Sequence, residues 1–149
     1  MPRIVSPIAI ALAAAALFGA AQPVTSATDP AFGYWRTANG NAIVEIASCT
    51  SGACGEMVWI DRPVDDAGAP RRDSEGRPLC GLQLVSGLKR AGEGVWEEGE
   101  IVDPRNGRVY AAEISVVEND KLNVRGYVLS SVFGASQIWT RAQGDRGGC

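Results

Sequence analysis

The chain contains no histidine. Imidazole is a common general base of serine and cysteine hydrolases and a frequent metal ligand, so its absence excludes Ser-His-Asp catalysis, Cys-His catalysis and imidazole ligation. The four cysteines form no C-x-x-C pair, which argues against a thioredoxin-like redox motif and against the paired knuckles of a structural zinc site. A helical stripe of useful length is also missing. These absences remove most of the common hydrolases and favour a β-rich chain.

A strong excess of charge of one sign is missing as well. The chain has 17 acidic and 14 basic residues, for a formal net charge of −3, and the two signs are interspersed. A protein that follows nucleic-acid phosphates presents a basic stripe or patch. We therefore expect no nucleic-acid partner.

The first residues have the composition of a secretory signal peptide. Arg3 supplies a positive charge, and residues 8–21 form an apolar run that is too short to cross a bilayer. The small residues that end at Ala27 fit cleavage at that point, and residues 19–21 offer an earlier alternative. We predict that residues 1–27 are a signal peptide rather than an uncleaved anchor.

The remainder, residues 28–149, has the length of one compact domain. It contains no second apolar stretch of membrane-spanning length. Its first cysteine, Cys49, lies too far downstream to receive a lipid at the cleavage site. We therefore predict a single domain in the periplasm or outside the cell, without a membrane span.

Four cysteines in an exported chain indicate disulfides, and four cysteines permit three pairings. Cys49 and Cys54 flank the turn-forming residues 50–53, and the end of a hairpin brings two Cα atoms within bridging range. Cys80 would then pair with Cys149 and tie the C-terminal tail to the strand that follows a long loop. We predict these two bridges, with a thiolate zinc site as the disfavoured alternative.

Period-two hydrophobic patterns recur along the rest of the chain and are separated by turn residues. Residues 39–41, 103–107 and 118–120 carry the Asn, Asp, Pro and Gly residues typical of tight reversals. Connections this short favour an antiparallel meander. The patterns predict eight strands, at Gly33–Thr37, Ala42–Cys49, Cys54–Ile60, Leu82–Leu88, Gly94–Val102, Arg108–Val117, Lys121–Leu129 and Ala135–Ala142.

Both ends of this series of strands carry tryptophan. Gly33 and Trp35 begin it, and Trp139 and Arg141 lie just before a Gly-rich tail. A guanidinium packs favourably on an indole face, and such a contact fits a sheet that closes on itself. The sequence therefore predicts an all-β fold, a small eight-stranded antiparallel up-and-down β-barrel, and gives these four residues a structural role in its closure.

One predicted connection, from Asp61 to Pro78, is long and rich in Asp, Arg, Gly and Pro. Long loops in compact domains either serve as functional lids or remain solvated excursions, and both alternatives stay open here. The carboxylates of this loop lack the spacing of a calcium loop, and its arginines compete for the same oxygens. We expect no metal site in it.

Several motifs are spread over nearly the whole predicted mature chain: Gly33-x-Trp35-x-Thr37, Gly40-Asn41-Ala42-Ile43-Val44-Glu45-Ile46, Cys54-Gly55-x-x-x-Trp59, Arg77-Pro78-Leu79-Cys80-Gly81-Leu82, Trp96-x-x-Gly99-x-Ile101-x-Asp103-Pro104-x-x-Gly107-x-x-Tyr110, Leu122-x-Val124-Arg125-Gly126-Tyr127 and Gln137-x-Trp139-Thr140-Arg141. Together they resemble the domain of unknown function 2147 (DUF2147) family of exported bacterial proteins. The resemblance implies a lipocalin-like, calycin-type barrel in which the early Gly-x-Trp packs beneath an arginine of the last strand. The chain departs from the family at residues 72–76, where members often carry an Asn-Pro-Asp-like stretch. The family has no established activity, so the resemblance informs the fold more than the function.

Small eight-stranded barrels either fill their interior with side chains or leave room for one small ligand. We predict the second arrangement, in an exported barrel that binds a hydrophobic or amphipathic small molecule without catalysis. The alternative is an envelope protein interaction module with a filled barrel and an exposed apolar patch. The candidate ligand-binding residues are Trp59, Trp96, Tyr110, Arg125 and Tyr127.

These candidates also have plainer interpretations. Buried aromatic side chains usually belong to the core, and a mid-strand arginine such as Arg125 usually points to solvent; otherwise it would enter the cavity as an anion anchor. An enzyme would need two carboxylates that converge at a cleft, but strand alternation scatters the carboxylates of this chain over both faces. We predict no catalytic residue, metal or cofactor. Because a closed barrel has no free strand edge, we expect a monomer.

Overall fold

The computed structural model describes residues 28–130, 132–143 and 149, so the predicted signal peptide lies outside the described residues. The described chain forms eight strands: β1 (Gly33–Arg36), β2 (Ala42–Cys49), β3 (Gly52–Ile60), β4 (Gln83–Gly92), β5 (Val95–Asp103), β6 (Arg108–Glu118), β7 (Lys121–Tyr127) and β8 (Gly134–Arg141). Each strand pairs with the next in the chain, and β8 returns to β1, which closes a barrel. All eight pairings are antiparallel. The predicted fold class, an eight-stranded antiparallel up-and-down β-barrel, is confirmed.

Seven of the eight strands differ from the predicted ones in at least one boundary, by four residues where β4 continues to Gly92 instead of ending at Leu88. Two of these differences have backbone reasons. β3 begins at Gly52, which has a φ of 130° and lies so close to β4 that a Cβ there would collide with the carbonyl oxygen of Leu88. Only glycine suits that position, so the ladder extends two residues before Cys54. β7 ends at Tyr127, because Leu129 has a φ of 64° and leaves the extended conformation.

The interior of the barrel is an apolar core with contributions from every strand. Seven of its residues are completely shielded from solvent: Ala31, Trp35, Val44, Ala53, Val85, Leu88 and Leu122. The core comprises Ala31, Trp35, Ala42, Val44, Ile46, Ala53, Met57, Ile60, Leu82, Leu84, Val85, Leu88, Trp96, Ile114, Leu122, Val124 and Trp139. Burial of these side chains is the main source of stability for a barrel of this size.

The up-and-down topology gives the barrel two distinct ends. One end, here called the closed end, carries the β2–β3, β4–β5 and β6–β7 turns and the N-terminal residues 28–32, whose Asp29 contacts Arg90 and Gly94. The opposite end, here called the open end, carries the β1–β2 turn, the long β3–β4 loop, the β5–β6 turn and the β7–β8 loop. No helix within residues 28–130, 132–143 and 149 is long and apolar enough to cross a membrane.

Two disulfides reinforce these ends. Cys49–Cys54 bridges β2 and β3 at the closed end, with the two Cα atoms 5.9 Å apart. Cys80–Cys149 joins the last part of the β3–β4 loop to the C-terminal residue, with the Cα atoms 5.2 Å apart. The structure therefore contains both of the bridges that the cysteine spacing predicts.

Candidate functional site

The closed end is sealed by Trp35 and Arg141. The guanidinium carbon of Arg141 lies 4.1 Å from the centre of the Trp35 ring. The Arg141 Nη2 atom donates to the Pro30 carbonyl at 2.7 Å, and its Nη1 atom donates to the Phe32 carbonyl at 3.3 Å. A Cβ at Gly33 would come within 3.1 Å of the Arg141 Nη1 atom, so glycine there leaves room for the guanidinium. One arginine thus holds the first strand, the last strand and the N-terminal segment together.

Trp96 belongs to this closed end rather than to an open cavity. Its indole Nε1 donates to Asp29 Oδ1 at 3.2 Å, and its ring centre lies 5.3 Å from that of Phe32. The side chain is buried, because residues 28–32 cover it. Trp96, a candidate ligand-binding residue in the sequence, therefore anchors residues 28–32, which we call the N-terminal plug.

The stability that the N-terminal plug gives to the fold should depend on pH through Asp29. Desolvation by burial acts to raise the pKa of Asp29, but hydrogen bonds from the Ala31 N–H, the Trp96 indole, Arg90 and the Gly94 N–H outweigh it, so the pKa lies below its ordinary value. A depressed pKa in the folded state gives stabilisation that is complete above the unfolded-state pKa of about 4 and is lost as the pH falls through the folded-state pKa.

We therefore expect Asp29→Asn to lower the free energy of unfolding at neutral pH and to weaken its decline below about pH 4. Urea denaturation measured from about pH 2 to pH 7 tests this prediction. Asp66→Asn is the matched control, because it makes the same substitution at an exposed position in the β3–β4 loop. Identical pH profiles for the wild type and Asp29→Asn would contradict the proposed role of the carboxylate.

Trp59 lies on the outer face of the barrel. The β2–β3 register shifts between Ile43 and Val44, so that Ile43 pairs with Trp59 whereas Val44 pairs with Met57. This bulge turns Trp59 outward and leaves Ile60 buried in the core. The Trp59 ring packs under the guanidinium of Arg36, whose carbon lies 5.0 Å from the ring centre.

Arg125 and Tyr127 share the outer face of β7. Arg125 pairs across the sheet with Glu113, at 3.8 Å between Nε and Oε1, and its Nη1 donates to Ser136 Oγ at 2.9 Å. Tyr127 lies opposite Ala111 on β6. Arg125 directly follows Val124, whose side chain is buried in the core, and Tyr127 lies two residues beyond Arg125. Because side chains alternate between the two faces of a strand, both Arg125 and Tyr127 lie outside the barrel.

Tyr110 is the candidate that the structure places on the inner face at the open end. It pairs with Ile101 of β5 and is half-buried. Farther round the wall, Gly126 pairs with Ala135, and Val124 pairs with Gln137. We call the inward-facing set Ile101, Tyr110, Gly126, Ala135 and Gln137 the mouth.

The mouth is open to solvent, whereas the wall below it is not. Ala135 and Gln137 are exposed although they share the inner face of β8 with Trp139, which is only 3% exposed. Gln137 Oε1 accepts a hydrogen bond of 3.3 Å from the Trp139 indole, so the exposed amide lies directly above the buried indole. A Cβ added at Gly126 would lie 3.4 Å from Ile101 Cγ2 and 3.6 Å from Tyr110 Cβ, at ordinary van der Waals distance.

The opposite side of the interior is filled. A Cβ at Gly55 on β3 would lie 2.8 Å from Ile46 Cδ1 and 3.1 Å from Val85 Cβ. Interior glycine at this position therefore reflects close packing rather than free space. The exposed inner-face residues Ala135 and Gln137 lie on β8, away from this packed region.

A carboxylate at the edge of the mouth is already neutralised by a neighbour. Asp103 accepts hydrogen bonds from Arg105 Nε at 2.9 Å and from Arg105 Nη2 at 2.7 Å. These bonds lower the pKa of Asp103, although partial burial opposes them. The ion pair makes Asp103 a poor general acid at neutral pH and a fixed polar group at the rim.

The carboxylate of the β3–β4 loop that is most deeply buried organises the loop itself. Asp73 accepts hydrogen bonds from the N–H groups of Glu75 and Arg77 and from Arg77 Nε at 2.7 Å. Among the described residues, no group of histidine, cysteine, aspartate or glutamate side chains is arranged to hold a metal ion. The Ser74 N–H donates to the Pro104 carbonyl at 3.0 Å, so this loop rests against the β5–β6 turn at the open end.

A separate surface depression of about 580 Å³ lies at the closed end and is lined by Glu118, Asn119, Asp120, Lys121, Thr140, Arg141 and Gln143. Its ionic side chains pair with one another, as Lys121 with Glu118 at 3.0 Å and Arg141 with Asp120 at 3.7 Å. Because Arg141 is already committed to closing the barrel, we place the candidate site at the mouth instead.

Sequence reasoning missed four of the five mouth residues. The signal for Gln137 and Ala135 was present, because both alternate in phase with Trp139 along β8. Alternation indicates that Ala135 and Gln137 face inward, but it does not indicate that they are exposed. Their exposure depends on how far the neighbouring strands and loops extend over them.

The closed eight-stranded barrel with an arginine-capped tryptophan on β1 has a lipocalin-like fold. In a structural comparison the chain is similar to a protein described as "Protein HP1028 from the human pathogen Helicobacter pylori belongs to the lipocalin family", with a TM-score of 0.59 and 15% identity over 74% of this chain and 82% of that one. The DUF2147 family, described as uncharacterized protein conserved in bacteria, matches residues 33–141, and the chain belongs to this family. No curated protein matches the chain. The two disulfides and the bacterial family are compatible with an exported protein.

Proposed function

We propose that this protein is an exported, non-catalytic barrel that binds one small apolar or amphipathic molecule at the mouth. The observation that supports the proposal is the contrast along β8, where Ala135 and Gln137 are exposed on the same inner face that buries Trp139. A concave, partly apolar surface above a rigid floor is the usual form of a small-molecule site. The signal-like residues 1–27 and the two disulfides support a periplasmic or secreted location.

The side chains of the mouth suit a ligand with an apolar body and a hydrogen-bonding group. Ile101, Ala135 and the ring of Tyr110 supply apolar surface, and the Gln137 amide and the Tyr110 hydroxyl supply polar contacts. Trp139 and Val124 form the floor, so a ligand enters only the upper part of the barrel. We therefore expect a compact ring or a short chain rather than a long acyl chain.

Filling the mouth should abolish binding. Ala135→Trp places an indole in the opening at an exposed position, so we expect the fold to persist and the affinity for the amphipathic probe 1-anilinonaphthalene-8-sulfonate to fall at least tenfold. Thr140→Trp adds the same side chain to the outer face of β8 and should leave the affinity within about twofold of the wild type. Fluorescence titration of the three folded proteins measures both effects.

Mass spectrometry of the protein released from its own cell envelope identifies the natural ligand. Gentle ionisation should show the protein with one bound small molecule, and denaturing conditions should release it. Equal probe affinity for Ala135→Trp and the wild type, with no co-purifying molecule, would contradict ligand binding at the mouth.

An envelope protein interaction module is the second candidate, and one observation favours it. Leu129 is 100% exposed, Val132 is 78% exposed and Phe133 is 66% exposed, all in the β7–β8 loop at the open end. Leu129 also holds a left-handed backbone conformation that a leucine rarely adopts. An exposed apolar loop of this kind is typical of a contact surface, and capture of a protein partner by the ligand-free protein would support this function instead.

A further inference from the structure

The barrel closes through a very short seam. β8 pairs with β7 over seven residue pairs, from Lys121–Thr140 to Tyr127–Gly134. On its other side β8 pairs with β1 at only two positions, Trp35–Arg141 and Arg36–Thr140. Within the described part of the chain, Gly134–Ile138 therefore has no strand beside its β1-facing edge.

The hydrogen bonds at the end of β8 identify the backbone groups of this edge. The Arg141 N–H donates to the Asp120 carbonyl on the β7 side, and the Ala142 N–H donates to the Tyr34 carbonyl at 2.8 Å on the β1 side. Because successive residues of a strand direct their N–H and C=O groups to opposite sides, the even-numbered residues face β1. Gly134, Ser136 and Ile138 consequently direct N–H and C=O groups to the open edge. These residues are all exposed, so the edge is accessible.

Between Gly134 and Ile138, β8 itself carries no residue of the kind that usually protects an edge from strand pairing. Natural edge strands commonly carry lysine, proline or a bulge that blocks a second chain. Here no charged residue and no proline occurs between Arg125 and Arg141. The neighbouring hairpin is also uncharged between Arg36 and Glu45. The charged side chain nearest to the edge is Arg125, which donates to Ser136 Oγ at 2.9 Å and lies 3.8 Å from Glu113 Oε1, so a neighbouring carboxylate offsets its charge.

We propose that the open edge of β8 pairs with the same edge of a second copy and forms a two-fold symmetric dimer. An antiparallel ladder centred on Ser136 places Ser136 opposite Ser136 of the partner subunit and Gly134 opposite Ile138 of the partner subunit. This register pairs all three outward-facing backbone positions at once, as an isologous interface requires. Gly134, Ala135 and Ser136 have small side chains, which permit the close approach of the two backbones.

The apolar loop next to the edge supports a second copy as the partner. Val132 and Phe133 directly precede β8 and are strongly exposed. The antiparallel ladder carries them towards the uncharged β1–β2 hairpin of the other copy, where burial removes apolar surface from water. The expectation of a monomer assumed a barrel without a free edge, and the two-pair seam leaves one. The dimer does not depend on whether the mouth binds a ligand.

Sedimentation equilibrium of the oxidised protein tests the proposal. We expect the mass-average mass to rise from the monomer value towards twice that value between about 1 µM and 1 mM protein. Ser136→Pro should remain monomeric over this range, because it removes an N–H from the open edge and none from the β7 ladder. A constant monomer mass for the wild type, or a folded Ser136→Pro protein that dimerises equally, would overturn the proposal.

A cysteine variant tests the register independently of proline. In the proposed ladder the two Cα atoms at position 136 lie about 5.5 Å apart, which is within disulfide range. Ser136→Cys should therefore give a covalent dimer on mild oxidation. Val117→Cys, at an exposed position on β6, is the matched control and should stay monomeric. Equal cross-linking of the two variants would contradict the register centred on Ser136.

Discussion

Replacing Trp35 with alanine is expected to lower the free energy of unfolding by about 3–5 kcal/mol. Trp35 is completely buried, its indole N–H donates to the Ala31 carbonyl at 2.8 Å, and its ring supports the Arg141 guanidinium at 4.1 Å. The substitution would leave a cavity at the closed end and remove the surface on which the arginine that joins both chain ends is packed. Urea denaturation followed by circular dichroism measures the change.

Trp59→Ala is the matched control, because it removes the same side chain from the outer face. Trp59 is half-buried and contacts Arg36, so we expect a loss of only about 1–2 kcal/mol. Equal losses for the two substitutions would show that closure of the barrel end contributes nothing beyond ordinary packing.

Removal of the Cys80–Cys149 disulfide should destabilise the protein by about 4 kcal/mol in the chain-entropy description. The bridge spans 69 residues in sequence, so its absence greatly increases the freedom of the unfolded chain. The paired substitution Cys80→Ser with Cys149→Ser avoids a free thiol. Denaturation of the oxidised protein, with and without this substitution, gives the difference.

The second disulfide provides an internal control. Cys49 and Cys54 are separated by only 5 residues in sequence, and the same description predicts a loss of about 2 kcal/mol for their removal. The order of the two effects is the decisive result. A larger loss for Cys49→Ser with Cys54→Ser would mean that local strain or packing, rather than unfolded-state entropy, dominates the contribution of these bridges.

The strand pattern was predictable because every strand pairs with its neighbour in the chain. Period-two alternation and local turn residues are short-range signals, and an up-and-down barrel needs no long-range information to set its strand order. On β6, for example, the pattern already places Tyr110, Ala112 and Ile114 on one face, and the structure buries Ala112 and Ile114.

The face of the barrel on which Trp59 lies could not be predicted from alternation. Simple alternation from the buried Met57 would put Trp59 inside the barrel, but the register shift beside Ile43 and Val44 inserts one residue and reverses the face. A bulge depends on the fit between two strands, and the sequence of β3 alone does not reveal it. The result is a tryptophan that packs against Arg36 on the outside.

The amino-acid sequence by itself determined the all-β class, the number and order of the strands and the family, because these follow from local alternation, turn chemistry and motifs. Only the tertiary structure decided that the interior is packed beside Gly55 whereas Gln137 on the inner face is exposed, and that β8 meets β1 over only two residue pairs. These features depend on strand register, strand tilt and the different lengths of neighbouring strands, which arise only when the sheet closes.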